Sequence, residues 1–129
     1  MRTIPEGYEA RLGVVVSDEM TVEFGELGAL HPVYATYWMA KHMEEAGRKI
    51  IMPFLEPHED GVGSALTLRH HAPVLPGARL EVIARHERTD GNRIHVRCEV
   101  RDEAGALVGE GSTEQVVLPR DSLDRRFAR

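Results

Sequence analysis

The feature of this sequence that most restricts its fold is a pair of alternating segments joined by a tight turn. In residues 93–101 every second residue is apolar, and residues 79–88 alternate in nearly the same way. Because successive side chains of a β-strand point to opposite faces, each segment predicts a strand that is apolar on one side. Asp90 and Gly91, between the two segments, tolerate the positive φ angles of a hairpin turn. The chain must therefore contain an antiparallel sheet with one apolar face to cover.

Other segments extend this sheet. Two further strands are predicted over residues 63–74 and 106–118, on either side of the hairpin. Shorter β-like segments cover residues 11–16 and 21–24, and residues 26–30 are predicted to form a loop.

One long helix is predicted between the short and the long strands. It is expected to begin at His31-Pro32, because a proline is tolerated in the first turn, and to end near Met52, before Pro53. Packing this helix on the apolar face of the sheet is the simplest way to cover that face. The sequence therefore predicts an α+β fold.

Length and charge narrow the class of protein. The chain has 129 residues, which fits a single domain over residues 1–129 with a mobile tail from about residue 119. Its formal net charge is −5, and its one basic cluster lies within the last five residues, so no nucleic-acid partner is expected. No apolar run reaches the roughly 20 residues of a membrane span, so no membrane partner is expected.

The sequence also gives expectations about cellular location and metal binding. The start of the chain has no signal-peptide pattern, and Cys98 is its single cysteine, which together predict a cytoplasmic protein without an internal disulfide. The sequence has neither a His-Glu-x-x-His motif nor paired cysteines, so no metal site is expected.

Three polar residues fall on faces predicted to be apolar. Glu44 lies just inside the apolar arc of the predicted helix, and Thr36 lies about 80° further round that arc. His70 shares a strand face with Leu66 and Leu68. If the helix packs on that strand, a carboxylate, a hydroxyl and an imidazole meet in an apolar place, which suits acid–base or nucleophilic chemistry.

Each of the three also has an ordinary explanation when taken alone. Glu44 could extend into solvent or pair with Arg48 one turn further along. Thr36 could bond a helix carbonyl, and His70 could be a satisfied core histidine. Only the combination of the three favours a functional site.

A family resemblance rests on a set of spaced motifs. They are Ala35-Thr36, Met43-Glu44, Phe54-Leu55-Glu56-Pro57, Gly63, His70 and Pro76-Gly77, followed by the similar stretch 109–114. With these motifs the sequence resembles the fluoroacetyl-CoA thioesterases, a family of hot-dog thioesterases, over roughly residues 27–118. The resemblance implies a hot-dog fold, in which an antiparallel β-sheet is wrapped around one long central helix.

The resemblance also implies a site and a partner. The family's catalytic threonine, glutamate and histidine correspond to Thr36, Glu44 and His70, and a glycine near the acyl-binding site corresponds to Gly63. It implies a homodimer with active sites at the subunit interface, and coenzyme A bound there as part of the substrate, with no other cofactor. Leu30 stands where the fluoroacetyl specialist has a bulky aromatic residue, so fluoroacetyl selectivity is not carried over.

We therefore expect an acyl-CoA thioesterase that acts on a small acyl thioester. Glu44 would activate water or attack the carbonyl directly, His70 would move a proton to the leaving thiolate, and Thr36 would orient these groups. Two alternatives remain. Related hot-dog folds hydrate or dehydrate acyl thioesters, although no hydratase motif is found here, and a non-catalytic acyl-CoA or small-ligand binding module would keep the pocket without the reaction.

Overall fold

The structure is a computed structural model in which residues 1–128 are described. Seven strands and two helices follow one another along the chain. They are β1 (Glu9–Val15), β2 (Thr21–Phe24), β3 (Gly28–Tyr34), α1 (Thr36–Ile51), β4 (Glu59–His70), β5 (Arg79–Asp90), β6 (Arg93–Asp102), β7 (Leu107–Pro119) and α2 (Arg120–Phe127), with short 3-10 turns at Asp18–Met20 and Met52–Phe54.

Five strands form one antiparallel sheet in the order β1-β5-β6-β7-β4. The predicted hairpin is confirmed, since Asp90 pairs with Arg93 and Gly91 adopts a φ of +61° between them. The strands β2 and β3 form a separate two-stranded sheet.

The helix α1 covers the apolar face of the five-stranded sheet. Its residues Met39, Met43 and Ile50 are completely buried and join one core with Val82 and Val96 of the sheet. The alternation in β5 and β6 thus supplies one half of the core and α1 the other. This is the predicted hot-dog arrangement, a sheet wrapped around one long helix.

The predicted start of the helix is wrong. His31 and Pro32 belong to β3, and α1 begins only at Thr36, after Ala35 in an extended conformation (φ −76°, ψ 144°). A proline disfavours helix in the residue before it, and its missing N–H is tolerated in a short edge strand. Leu30, expected in a loop, consequently lies in β3.

The end of the chain also differs from the prediction. Residues Arg120–Phe127 form α2 in place of the expected tail, and Leu123 of this helix is 3% exposed. Arg120 forms an ion pair with Asp60 at 3.0 Å, which ties α2 to β4. The last residue of the predicted tail, Arg129, lies outside the described residues. Among residues 1–128, neither helix combines the length and the apolar character needed to cross a membrane.

Candidate active site

Thr36 and His70 are in direct contact. Thr36 is the first residue of α1 and His70 is the last residue of β4, and a hydrogen bond of 3.0 Å joins Thr36 Oγ1 to His70 Nδ1. The odd spacing between His70 and its neighbour sends His71 to the other face of the sheet, where its Nε2 lies 2.8 Å from Glu110 Oε2. The strand phase therefore separates the two histidines as predicted.

The second ring nitrogen of His70 is available for proton transfer. Among residues 1–128, His70 Nε2 is a buried atom without a hydrogen-bond partner. A neutral imidazole carries a proton on one nitrogen and a lone pair on the other. Because Nδ1 is engaged by Thr36, Nε2 is the atom that can give or take a proton during a reaction.

A buried pair behind His70 was missed from the sequence. Tyr34 is 1% exposed and its ring lies edge-on to His70, with centroids 6.2 Å apart. The Tyr34 hydroxyl is hydrogen-bonded to Nδ1 of His42, which is 7% exposed and stacked on the Tyr34 ring. Burial raises the pKa of the Tyr34 phenol and lowers the pKa of His42, so both are held in their neutral forms.

The structure buries His42, although a helical wheel places it on the polar arc of α1 with Lys41 and Lys49. A wheel shows only where a residue lies around its own helix, and the partner that makes burial of this imidazole possible, Tyr34, belongs to β3. Two aromatic residues flank His42, because Trp38 also packs against it with ring centroids 5.6 Å apart.

Glu44 lies beside Gly63. A Cβ atom at Gly63 would come within 3.1 Å of Glu44 Oε1, so the missing side chain gives the carboxylate room next to the β4 backbone. Glu44 is exposed in the single chain. This exposure agrees with the ordinary explanation in which Glu44 extends into solvent. The other ordinary explanation, a pair with Arg48, is wrong, because the Arg48 guanidinium binds Asp60 and the carbonyl of Gly61.

Within one chain the two pairs of residues are far apart. Glu44 follows Thr36 by eight residues, which is about 12 Å along a helix. His70 follows Gly63 by seven residues, which is roughly 20 Å along a strand. The structure thus joins Thr36 to His70, and Glu44 to Gly63, but it does not bring all three predicted catalytic side chains together in one chain.

Leu30 lies on an exposed apolar hairpin. Leu30 of β3 is 45% exposed, and Phe24 of β2 is 43% exposed. The hairpin is attached to α1 by Tyr37. The Tyr37 hydroxyl accepts a hydrogen bond from the Glu23 amide at 2.9 Å, and the Tyr37 ring packs on Phe24. Apolar side chains are therefore presented close to the start of the helix that carries Thr36.

Of two cavities in the structure, one is lined by predicted site residues and the other is not. A cavity of about 210 Å³ is lined by Glu44 and Gly63. A larger one of about 590 Å³ lies between the first six residues and the turn from β5 to β6, and none of the predicted site residues lines it. Because the Glu44 carboxylate borders the smaller cavity, we assign this cavity to the candidate active site. Among residues 1–128, no group of three or more His, Cys, Asp or Glu side chains is arranged to hold a metal ion.

Two sequence comparisons relate this chain to the same family of thioesterases. The profile of the fluoroacetyl-CoA-specific thioesterase family matches residues 16–121. A fluoroacetyl-CoA thioesterase from Streptantibioticus cattleyicolor is 31% identical over 104 residues, which cover 81% of this chain and 74% of that protein.

Solved structures agree with the sequence relatives. A thioesterase superfamily member from Thermus thermophilus is 60% identical with a TM-score of 0.97, covering 98% of this chain and 93% of that one. A mutant of the fluoroacetyl-CoA-specific thioesterase, crystallised with fluoroacetate and CoA, is 28% identical with a TM-score of 0.83, covering 92% of this chain and 98% of that one.

Proposed function

This chain belongs to the fluoroacetyl-CoA-specific thioesterase family, and from that premise we propose that it hydrolyses a small acyl-CoA thioester at a site shared by two subunits. The observation that carries the proposal is the separation of two half-sites. One half is the hydrogen-bonded pair of Thr36 and His70, and the other is Glu44 beside Gly63. Each half holds groups that thioester hydrolysis needs, and neither is sufficient alone.

One of the two edge strands of the sheet, β4, offers a way to join the halves. The strand β4 is the last strand of the sheet and pairs on one side only, with β7. Two copies of an edge strand can pair antiparallel about a two-fold axis, which is the commonest symmetry of homo-oligomers. We therefore place the dimer interface along β4.

A bulge in β4 fixes which residues face α1. The register against β7 shifts between Gly63 and Ala65, so Ser64 is an extra residue in the strand. Because of this extra residue, Gly63 and His70 both face α1 although seven positions separate them. Gly63 contacts Glu44 of α1, and His70 contacts Thr36 of α1.

In one register of the two paired β4 strands, the dimer contains two copies of the site. When Gly63 lies opposite His70 of the partner subunit, Thr67 lies opposite Thr67 of the partner subunit, on the two-fold axis. Glu44, next to Gly63, then reaches the hydrogen-bonded Thr36 and His70 of the partner subunit. The symmetry produces two equivalent sites per dimer.

In the proposed reaction Glu44 supplies the carboxylate that promotes attack on the thioester carbonyl. His70 of the partner subunit delivers a proton to the CoA sulfur as the C–S bond breaks, and the Thr36 hydroxyl holds the imidazole in position. Amides at the start of α1 or near Gly63 stabilise the oxyanion. Coenzyme A is part of the substrate, and no further cofactor takes part.

The acyl group is proposed to lie near the hairpin that carries Leu30. The family resemblance implies a bulky aromatic residue at the position of Leu30 in the fluoroacetyl specialist, so we assign a small acyl group without assigning fluoroacetate. A leucine offers apolar contact without the ring that would narrow the pocket.

A panel of short, branched and aromatic acyl-CoAs with detection of the free thiol tests the function. We expect Glu44→Gln and His70→Ala each to lower kcat about 100-fold or more, whereas Glu45→Gln, an exposed neighbour on α1, leaves it unchanged. Failure of the wild type to release thiol from any substrate would contradict the proposal. Hydration of an enoyl-CoA without thiol release would identify a hydratase, and CoA binding without turnover would identify a binding module.

A further inference from the structure

The bulge in β4 is fastened to β7 by a side-chain hydrogen bond. Its extra residue, Ser64, follows Gly63 directly and lies where the pairing with β7 shifts. The Ser64 hydroxyl donates to Glu114 Oε2 of β7 at 2.6 Å, and it also lies 3.2 Å from the carbonyl oxygen of Glu114. The extra residue of β4 is therefore held to the neighbouring strand through its side chain.

The bond between Ser64 and Glu114 lies on the face of the sheet opposite α1. Thr113 and Gln115 of β7 face α1, because a Cβ atom at Gly47 of the helix would contact both. Glu114 stands between these two residues in the strand, so its side chain points to the opposite face. The sheet itself therefore separates the bond from the groups of the candidate active site, and the bond can act on them only through the backbone of β4.

Two basic residues of β6 hold Glu114 from its other side. Arg93 Nη1 lies 3.2 Å from Glu114 Oε2, and His95 Nε2 lies 3.7 Å from Glu114 Oε1. The hydrogen bond from Ser64 and the nearby basic side chains lower the pKa of Glu114, so its carboxylate is ionised at neutral pH. An ionised acceptor makes a stronger hydrogen bond than a neutral one, which suits Glu114 to holding Ser64 in place.

The bulge determines which part of β4 meets Glu44. Gly63 lies opposite Gln115 of β7. If Ser64 took a regular place opposite Gln115 instead, the alternation of side chains would turn Gly63 away from α1. With the bulge, Gly63 faces α1, and a Cβ atom on it would lie 3.1 Å from Glu44 Oε1. The backbone beside the bulge thus limits where the Glu44 carboxylate can lie.

We propose that Ser64 and Glu114 are positioning residues of the thioesterase site. Their hydrogen bond holds the bulge and so sets the backbone of Gly63 against the Glu44 carboxylate. The inference rests on the proposed function and deepens it, since it names residues outside the site that place its carboxylate. Bulges occur next to active sites, where the local bend of the strand aims a side chain. A misplacement of about 1 Å can lower the rate of an enzyme about 100-fold, so a loosened bulge lowers kcat even when the shift is smaller.

Breaking the bond from either side tests the proposal. We expect Ser64→Ala and Glu114→Ala each to lower kcat about 5-fold or more while KM changes little, because neither side chain is placed to contact the substrate. Ser64→Thr keeps the hydroxyl and should retain most of the activity. Wild-type kcat in both alanine variants would overturn the proposal.

Ser112→Ala is the matched control. Ser112 Oγ forms a hydrogen bond of 2.8 Å with Thr67 Oγ1 between the same two strands, at a position where their pairing is regular. Ser64→Ala and Ser112→Ala each remove one exposed hydrogen bond between β4 and β7, so urea unfolding should show similar small losses of stability. Only Ser64→Ala should lower kcat, and an equal fall of kcat in both variants would overturn the positioning role.

Double variants show whether the bond acts through Glu44. Adding Ser64→Ala to Glu44→Gln should cause no further loss of kcat, because the carboxylate that the bulge positions is already gone. Independent, multiplying losses would overturn the proposal. If Glu44→Gln and His70→Ala lose activity while Ser64→Ala keeps wild-type kcat, the positioning role fails and the proposed thioesterase function stands. A wild type that cleaves no thioester defeats both.

Discussion

At the scale of single residues, the chemistry of the candidate site comes from polar groups set on apolar faces. His70 illustrates this, because its neighbour His71 makes a surface contact with Glu110 while His70 faces the helix and bonds Thr36. A strand alternates its side chains, so this difference follows from sequence phase.

Other residues of the site were beyond sequence reasoning. Tyr34 and His42 lie on different elements and are joined by a hydrogen bond between their side chains. A contact of this kind has no spacing signature along the chain, so the sequence does not indicate it.

The buried pair predicts a pH dependence of stability. Burial lowers the pKa of His42 in the folded protein, so the unfolded chain takes up a proton first as the pH falls below about 6.5. The free energy of unfolding should therefore decrease from neutral pH toward the lowered pKa. Urea unfolding between pH 7.5 and 5 measures this decrease.

The variant His42→Asn isolates this contribution, since asparagine keeps a polar atom near Tyr34 and does not titrate. The difference in unfolding free energy between wild type and variant should shrink as the pH is lowered. A difference that stays constant, or grows in acid, would contradict a neutral buried imidazole.

At the scale of elements, the hairpin of β5 and β6 and the identity of the long helix followed from periodicity. The order of strands in the sheet, where β4 pairs with β7, and the ends of elements did not. The helix α1 begins four residues later than predicted from Pro32, because residues 31–34 pair with β2. The predicted tail forms α2, which Arg120 and the buried Leu123 attach to the rest of the fold. In both places a contact with a segment distant in the sequence determines the secondary structure, and the local sequence alone does not.

The contact between α1 and β4 predicts the effect of one methyl group. In Gly63→Ala the new Cβ would lie 3.1 Å from Glu44 Oε1, so the carboxylate must shift by a few tenths of an ångström. A displaced catalytic group should lower kcat about 10-fold or more, while stability changes little, because Gly63 is exposed and its φ is not positive.

Gly13→Ala on β1 is the matched control, because a Cβ there meets nothing within 4 Å. Thiol release under saturating acyl-CoA compares the two variants. Equal kcat values for the Gly63 and Gly13 variants would show that the carboxylate does not depend on the space beside Gly63.

At the scale of the whole molecule, one chain carries two separate pairs of candidate residues, Thr36 with His70 and Glu44 with Gly63. The helix α1 carries Thr36 at its start and Glu44 two turns later, and β4 carries Gly63 near its middle and His70 at its end. The sequence predicted the residues and, through the family resemblance, a dimer. It predicted that the side chains of Thr36, Glu44 and His70 meet, whereas the single chain brings Thr36 to His70 and keeps Glu44 about two helical turns away.

In the proposed dimer, Glu44 of one subunit works with Thr36 and His70 of the partner subunit. The most direct measurement mixes the two inactive variants Glu44→Gln and His70→Ala under conditions that exchange subunits, with mixed dimers verified by mass. Random pairing makes about half of the dimers mixed, and each mixed dimer has one intact site of two, so about a quarter of wild-type activity should return. Mixing Thr36→Val with His70→Ala is the control and should restore none, since both groups belong to the same half-site. Mixed dimers of Glu44→Gln and His70→Ala that remain inactive would contradict the shared site.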